Sequence, residues 1–169
     1  YALPAPVPPI DVLRTRCGDD FYQVRFQRPG RAELMLERDV VRALTAVYCD
    51  RYDLIETGEL HQPPPWLTPA LFAHYVDEFE RTGFTGGLNY YRNIDGNWKR
   101  TRSSGAPVIN HKSLFVTGSA DPVTTFMRVD NAARVFTDLT TVVIEDAGHW
   151  VHQQAPERVN EAILAHLGR

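Results

Sequence analysis

Two short apolar runs in the last third of the chain place the strongest constraint on its fold. The first run is SLFVTG (113–118), which stops at a glycine, and the second is TVVIE (141–145). Between them lies MRVDNAARVF, whose apolar residues recur at helical spacing. Short apolar runs bounded by turn residues are typical of buried strands in a parallel sheet. With a helix expected after Pro156, this β-α-β-α order predicts an α/β fold with parallel strands and flanking helices.

Two parallel strands are too few for a stable sheet. At least three strands with packed faces are generally required, and soluble proteins avoid exposed apolar strand edges. The chain also begins at Tyr1 rather than at a methionine. We therefore expect the sheet to be incomplete on its own, with the missing strands upstream of Tyr1.

The residues before about position 105 predict helices and loops with little strand. Helices are predicted in IDVLRTRCG, which Gly18 ends, between Ala32 and Tyr48, and in GLNYYRNIDGNW, with a break near Gly96. The aromatic-rich segment FYQVRFQRPG is predicted to be a strand or an extended arm.

One predicted helix has clear signals at both ends. Thr68 is a suitable N-cap, Pro69 takes the first helical position, and Gly83 follows the last turn. The preceding TGELHQPPPW predicts a rigid loop, because three prolines cannot continue a helix. The stretch RTRSSG resembles a hinge and divides the chain into a helical domain over 1–105 and an α/β portion over 106–169.

Composition excludes several classes of protein. The net charge of −3 argues against a nucleic-acid-binding protein, which carries a basic patch. No apolar run is long enough to cross a membrane. Cys17 and Cys49 are too few for a zinc framework, and they favour two buried free thiols in a reducing cytoplasm over a disulfide. His152 follows His149 by three residues, but no third ligand is near, so no metal is expected.

The two predicted strands each end beside a residue suited to proton transfer. Asp121 follows the first strand in VTGSADPV, and His149 follows the second strand 28 residues later in EDAGHW. The carboxyl ends of parallel strands lie on the same edge of a sheet, where the functional residues of such folds gather. A carboxylate beside an imidazole orients it and stabilises its protonated form, so this pair predicts a general base and its acid partner.

These segments resemble a known family. LFVTGSADPV together with EDAGHWVHQQAPERVN resembles the C-terminal half of an α/β-hydrolase of the epoxide hydrolase type, with the acid at Asp121 and the base at His149. WLTPALFAHYVDEFERTGFTGGLNYYRNIDGNW resembles the second half of that family's helical cap, and FYQVRFQRPG resembles its start. The resemblance covers essentially the whole chain and implies a cap over 1–105 followed by the C-terminal part of the hydrolase core over 106–169.

The resemblance also implies roles for aromatic residues of the cap. Tyr22, in a Tyr-Gln pair with Gln23, and Tyr91, which precedes Arg-Asn, match the two phenols that hydrogen-bond the epoxide oxygen as it becomes an alkoxide. Gln23 and Tyr90 are expected to lie beside the substrate. Trp150 is expected to shield the base from bulk water.

The implied reaction converts an epoxide and water into a vicinal diol in two steps. An aspartate attacks an epoxide carbon to form an ester, and His149, oriented by Asp121, then activates the water that hydrolyses it. No metal or organic cofactor is implied. Neither Gly-x-Asp-x-Gly nor Gly-x-Ser-x-Gly occurs here. We therefore expect the nucleophile and the oxyanion hole in an N-terminal half of the same hydrolase, and no activity from this chain alone.

Two alternatives stay open. A haloalkane or haloacid dehalogenase uses the same acid and histidine, but it typically stabilises the departing halide with Trp or Asn donors, so Tyr22 and Tyr91 favour epoxides. The other alternative is non-enzymatic: an incomplete fragment that acts only as an interaction partner. Homodimerisation is a further open alternative, whereas membrane and nucleic-acid partners are not expected.

Overall fold

The chain forms two compact units, one ending at Gly105 and the other beginning at Ala106. The structure is a computed structural model that describes residues 6–57, 62–105, 107–126 and 134–168. The first unit is helical, and the second contains a parallel sheet and helices.

The helical unit is a series of short helices joined by turns. The described elements are α1 (Pro9–Cys17), α2 (Tyr22–Arg25), α3 (Arg31–Glu37), α4 (Val40–Tyr48), α5 (Leu54–Thr57), α6 (Pro69–Thr82), α7 (Thr85–Arg92) and α8 (Ile94–Thr101). The apolar faces of α2 to α7 meet in one core, in which Ala43, Leu44 and Ala46 of α4 are almost fully buried.

Helix ends in this unit follow the sequence signals closely. Thr68 caps α6 by accepting a hydrogen bond from the backbone of Leu71, Pro69 is the first helical residue, and Gly83 ends the helix at φ 67°. Gly18 likewise ends α1 at φ 86°. These predictions are confirmed. Helix capping and the positive φ of a terminal glycine depend on neighbouring residues, so the sequence alone can show them.

Three predictions for the helical unit are wrong. FYQVRFQRPG is not extended, because it contains α2, whose residues Gln23 and Val24 are buried. The segment from Ala32 to Tyr48 is two helices, because the side chain of Asp39 caps α4 and interrupts the helical run. GLNYYRNIDGNW breaks at Asn93 instead of Gly96.

The second unit contains two adjacent parallel strands. β1 (Ser113–Gly118) pairs with β2 (Leu139–Ile144) in parallel, from Ser113 opposite Leu139 to Gly118 opposite Ile144. The 3-10 helix Pro122–Thr125 follows β1, and α9 (Val151–Gln154) and α10 (Pro156–His166) follow β2. Both predicted strands and their parallel pairing are confirmed. Most of the predicted helix over 127–136 lies outside the described residues.

One face of this sheet is packed, and the other is only partly covered. On the packed face, Val116, Val142 and Ile144 meet a cluster formed by Ala147, Val151 and Val159, and Ile144 is only 1% exposed. On the opposite face, Phe115 and Val143 are 37% and 49% exposed, so no described residue buries them fully. In α/β folds, both faces of a parallel sheet are normally covered.

Both cysteines are free thiols, as predicted. Cys17 is exposed and Cys49 is of intermediate exposure, so the prediction that both are buried is wrong. Among the residues that the structure describes, no helix combines the length and the apolar character needed to span a bilayer. Part of the predicted TGELHQPPPW loop, residues 58–61, lies outside the described ranges.

Candidate functional site

Hydrogen bonds join the loops that leave the carboxyl ends of β1 and β2. The backbone N–H of Ser119 donates to the carbonyl of Ile144 over 3.0 Å, and that of Ala120 donates to the carbonyl of Ala147 over 2.9 Å. In return, the backbone N–H of Asp146 donates to Oγ of Ser119 over 3.0 Å. The pairing of the sheet therefore continues past its ends and holds the two loops side by side.

These loops bring Asp121 and His149 into direct contact. Nδ1 of His149 lies 3.1 Å from each carboxylate oxygen of Asp121. Oδ1 of Asp121 also accepts a hydrogen bond of 2.8 Å from the backbone of Val123, which fixes the carboxylate at the start of the 3-10 helix. The side chain of Asp121 is 11% exposed and that of His149 is 36% exposed. With Nδ1 facing the carboxylate, Nε2 is the imidazole nitrogen left to exchange a proton with a substrate or water.

The turn that carries His149 is held from both sides. The backbone N–H of Gly148 donates a short hydrogen bond to Oε1 of Gln154, at the end of α9. The ring of Trp150 lies edge-on to the imidazole, with 5.4 Å between centroids and 74° between planes. Asp146 turns the chain in the left-handed region at φ 64°. A rigid backbone on both sides of the histidine limits the positions that its ring can take.

Gly118 makes this close approach of the loops possible. A methyl group at Gly118 would overlap the carbonyl of Ala147 and the carbonyl oxygen of Gly148, which are backbone atoms with little freedom to move. The loop that carries the histidine therefore crosses directly over the end of β1. A residue with any side chain at this position would push the two loops apart.

In the helical unit, Tyr22 and Tyr91 lie in one aromatic cluster. Their rings meet edge to face at 5.8 Å, and Phe26 packs edge to face against both, at 5.6 Å from Tyr22 and 5.3 Å from Tyr91. Tyr52 stacks on the other face of the cluster, parallel to Tyr22 at 4.8 Å. Edge-to-face contacts of this kind are favourable for aromatic pairs and restrict the tilt of each ring.

The surroundings of each phenol differ. The hydroxyl oxygen of Tyr22 accepts a hydrogen bond of 2.8 Å from the side-chain amide of Gln23, so this bond does not consume the phenolic hydrogen. Burial raises the pKa of the Tyr91 phenol above its ordinary value, which keeps the group protonated. Tyr90, by contrast, is 83% exposed. The substrate contacts predicted for Gln23, Tyr90 and Trp150 stay predictions.

A partly buried ion pair anchors α7 immediately after Tyr91. The guanidinium of Arg92 binds both carboxylate oxygens of Glu33, at 2.7 and 2.8 Å, and also donates to the carbonyl of Phe26 over 3.0 Å. Glu33 in turn accepts a hydrogen bond from the backbone of Gly30. Each partner is 13% exposed. The hydrogen bonds from Arg92 hold the pKa of Glu33 at about 2, well below its ordinary value.

The structure brings together the predicted acid and base in one unit and the two predicted tyrosines in the other. Sequence reasoning missed the residues that hold them: Gly118, Ser119, Gln154, Tyr52 and Gln27. For Gln27 a weak signal was present, since it is polar, lies in an aromatic segment and follows Gln23 by one helical turn. Within the described ranges, no three His, Cys, Asp or Glu side chains form a group suited to a metal ion.

Comparison with known proteins gives a consistent result, although no protein-family model matches the chain. The chain is similar to Epoxide hydrolase A from Mycobacterium tuberculosis, with 38% identity over 187 positions covering 98% of this chain and 58% of that protein. It is 33% identical to Epoxide hydrolase 3 from Siraitia grosvenorii, covering 93% of this chain and 55% of that protein. The crystal structure of Epoxide Hydrolase A from Mycobacterium thermoresistibile matches with a TM-score of 0.87 and 34% identity, covering 98% of this chain and 58% of that one.

The chain spans less than two thirds of the length of each of these proteins and corresponds to their C-terminal part. The fold of the chain agrees with this similarity, because its helical unit is followed by parallel strands and flanking helices. The chain is therefore similar to the C-terminal part of epoxide hydrolases of the α/β-hydrolase fold.

Proposed function

We propose that the complete protein containing this chain hydrolyses epoxides to vicinal diols through an ester intermediate. The contact between Asp121 and His149 carries the proposal, since it places an oriented imidazole at the carboxyl edge of a parallel sheet. The names of the relatives support epoxides as the substrate class. No metal or organic cofactor enters the proposed reaction.

In the first step, a carboxylate attacks an epoxide carbon. A new ester C–O bond forms, one ring C–O bond breaks, and the ring oxygen leaves with the electron pair of that bond. Tyr22 and Tyr91 donate hydrogen bonds to this oxygen, and a phenolic proton converts it into the hydroxyl group of the ester. Donors aimed at a developing oxyanion accelerate such a step by stabilising its transition state.

In the second step, His149 acts as the general base. Its Nε2 takes a proton from water, and the resulting hydroxide attacks the ester carbonyl. The tetrahedral intermediate then collapses: its bond to the diol oxygen breaks, the proton of the added hydroxyl passes to that oxygen, and the diol leaves the regenerated carboxylate. The imidazolium proton returns through solvent to the phenolate left by the first step, which restores both groups. Asp121 stabilises the imidazolium that forms and holds Nδ1 as the protonated nitrogen before the transfer.

The proposal assigns the nucleophile to an N-terminal part of the same protein. The exposed apolar side chains of Phe115 and Val143 support this assignment, because apolar strand faces in α/β folds are covered by further layers. The same part would supply the remaining strands and the oxyanion hole. On this proposal, the 169-residue chain alone does not turn over epoxides.

Trapping the intermediate tests the proposal directly. The complete protein should convert styrene oxide into its diol, whereas the His149→Ala variant should stop at the ester and gain the mass of one epoxide. Peptide mapping should locate the adduct on a carboxylate outside these 169 residues. His152→Ala, which removes an exposed imidazole three residues away, is the matched control and should turn over normally. Diol formation by His149→Ala at the wild-type rate, without an adduct, would contradict the proposal.

A further inference from the structure

One glutamine side chain joins the backbone beside Tyr22 to the backbone of Tyr91. Gln27 lies two residues beyond the end of α2, and its Nε2 donates to the carbonyl of Gln23 over 2.9 Å and to the carbonyl of Tyr91 over 3.0 Å. A primary amide nitrogen carries two hydrogens, so each bond uses one of them. The second bond connects residues 64 positions apart in the chain.

Both acceptors lie in the last turn of a helix that carries a proposed phenol. The carbonyls of a helix's last turn have no partner within the helix and require an outside donor. Gln27 supplies one donor to α2 and one to α7, so a single planar group fixes the two helix ends relative to each other. The aromatic contacts between Tyr22, Phe26 and Tyr91 set how close the rings lie, but they tolerate sliding. Hydrogen bonds are directional and therefore resist sliding of one helix end past the other.

The neighbouring residues tie the same segment to α7. Arg92 donates to the carbonyl of Phe26 over 3.0 Å and to that of Arg28 over 3.5 Å. Three consecutive residues, from Phe26 to Arg28, therefore each contact Tyr91 or Arg92. Of the three hydrogen bonds to Tyr91 and Arg92, only that of Gln27 is made by a side chain of this segment, so a substitution at Gln27 can test it without disturbing the ion pair.

We propose that Gln27 is a positioning residue for epoxide opening, which sets α7 against α2 so that both phenols act on the same oxygen. This inference rests on the proposed function. It assigns Gln27 no contact with the substrate and no part in the hydrolysis of the ester. Its effect should therefore be confined to the first chemical step.

Single-turnover kinetics of the complete protein separate the two steps. In Gln27→Met the side-chain length is kept and both donors are lost, and we expect ester formation to slow by at least about 10-fold, since small displacements of catalytic groups are costly. Gln27→Glu should be slower still, because its carboxylate faces two carbonyl oxygens. Ester hydrolysis, which depends on His149, should keep its wild-type rate in both variants. Gln62→Met makes the same change at an exposed glutamine and should leave both rates unchanged.

A double-mutant cycle identifies the group through which Gln27 acts. Tyr91→Phe removes the phenol but keeps the backbone carbonyl that Gln27 binds, so the tie survives in that variant. If Gln27 works through the phenols, Gln27→Met should add little to the loss already caused by Tyr91→Phe. Fully additive losses, equal slowing of both chemical steps, or unchanged ester formation in Gln27→Met would each overturn the inference.

A measurement without substrate separates this inference from the proposed function. In NMR spectra of the complete protein with labelled tyrosines, nuclear Overhauser contacts between the rings of Tyr22 and Tyr91 should weaken in Gln27→Met, while signals of Tyr75 stay in place. If the wild-type protein opens no epoxide, the proposed function fails, and this spectrum alone decides whether Gln27 sets the ring pair. Unchanged contacts between the two rings would refute the proposal that the hydrogen bonds of Gln27 position them.

Discussion

Nδ1 of His149 lies 3.1 Å from both carboxylate oxygens of Asp121, although 28 residues separate the two along the chain. The contact depends on the loops after β1 and β2, which hydrogen-bond to each other beyond the last residues of the strands. The side chain of Asp121 is mostly buried and that of His149 is partly exposed, so the carboxylate orients the ring from within the protein. This asymmetry suits an imidazole that must exchange protons with water.

Replacing Asp121 by Asn should disable the base while preserving the shape of the site. The amide can still accept the backbone hydrogen bond of Val123, but its NH2 group facing Nδ1 favours the tautomer with the proton on Nε2. A protonated Nε2 cannot take a proton from water, so ester hydrolysis should slow by about 100-fold or more. Stopped-flow measurement of the single-turnover hydrolysis rate in the complete protein tests this expectation.

Asp138→Asn removes an exposed carboxylate just before β2 and is the matched control, with an expected wild-type rate. Ester formation should be nearly normal in Asp121→Asn, since the proposed role of this carboxylate is in the second step. A variant that hydrolyses the ester at the wild-type rate would show that the observed contact has no catalytic role.

Removing one phenol should slow the opening of the epoxide. Tyr91→Phe and Tyr22→Phe each take away one of the two proposed donors to the ring oxygen, and we expect ester formation to fall by about 100-fold in each. Tyr75→Phe, which removes the hydroxyl of a tyrosine stacked on Tyr48 in the same unit, should leave the rate unchanged. The measurement is burst-phase ester formation by quenched flow.

The same variants distinguish the dehalogenase alternative. A halide leaving group needs no phenolic proton, so a dehalogenase should keep its rate on 1-bromobutane in Tyr91→Phe. Turnover of that substrate by the wild-type protein, together with no turnover of epoxides, would replace the proposed reaction with carbon–halogen cleavage.

Substituting Gly118 by Ala should damage both stability and activity. The added methyl group would meet the backbone carbonyl of Ala147, and forcing extra volume into such a site costs about 1–3 kcal/mol of unfolding free energy. Because the displaced loop carries His149, turnover should fall as well. Urea unfolding and steady-state assays of the complete protein measure the two effects.

Gly86→Ala is the matched control for this change. Gly86 lies in the first turn of α7, and a methyl group there meets no atom within 4 Å. Alanine in a helix is favoured over glycine by about 0.5–1 kcal/mol, so this variant should be slightly more stable than the wild type. Equal stability of the two alanine variants would contradict the close approach of the loops.

The free energy of unfolding should fall in acid, because protonation of Glu33 breaks its ion pair with Arg92. The pKa of Glu33 in the folded state is about 2, against 4.5 ordinarily, because of its hydrogen bonds from Arg92. A carboxyl group with a lowered pKa stabilises the fold above its unfolded pKa, and this contribution disappears as the pH falls from about 4.5 towards 2. The loss should be about 1–2 kcal/mol, since solvent screens part of the interaction.

Unfolding midpoints measured between pH 7 and pH 3 test this dependence. Glu33→Gln removes the titrating group and should weaken the pH dependence in that window, whereas Glu80→Gln, at an exposed site, should leave it as in the wild type. If Glu33→Gln and the wild type lose stability in parallel, the ion pair does not contribute as expected.

The sequence determined the local elements of this protein. The apolar runs that predict β1 and β2, the capping of α6 by Thr68 and the glycines that end α1 and α6 were all confirmed, because neighbouring residues suffice to produce them. The placement of Asp121 and His149 just beyond strand ends was visible for the same reason. Parallel pairing followed from the order of the elements, since such strands need a crossover between them.

Only the tertiary structure decided the relationships between distant residues. The aromatic segment around Tyr22 looked extended, but its burial against Tyr52 and Tyr91 favours α2 over a strand that would lack a partner. The tie through Gln27 and the close approach at Gly118 leave no periodic signal, because each depends on atoms from segments that meet only in the folded protein. Local propensity records the conformations available to a segment, and long-range packing selects among them.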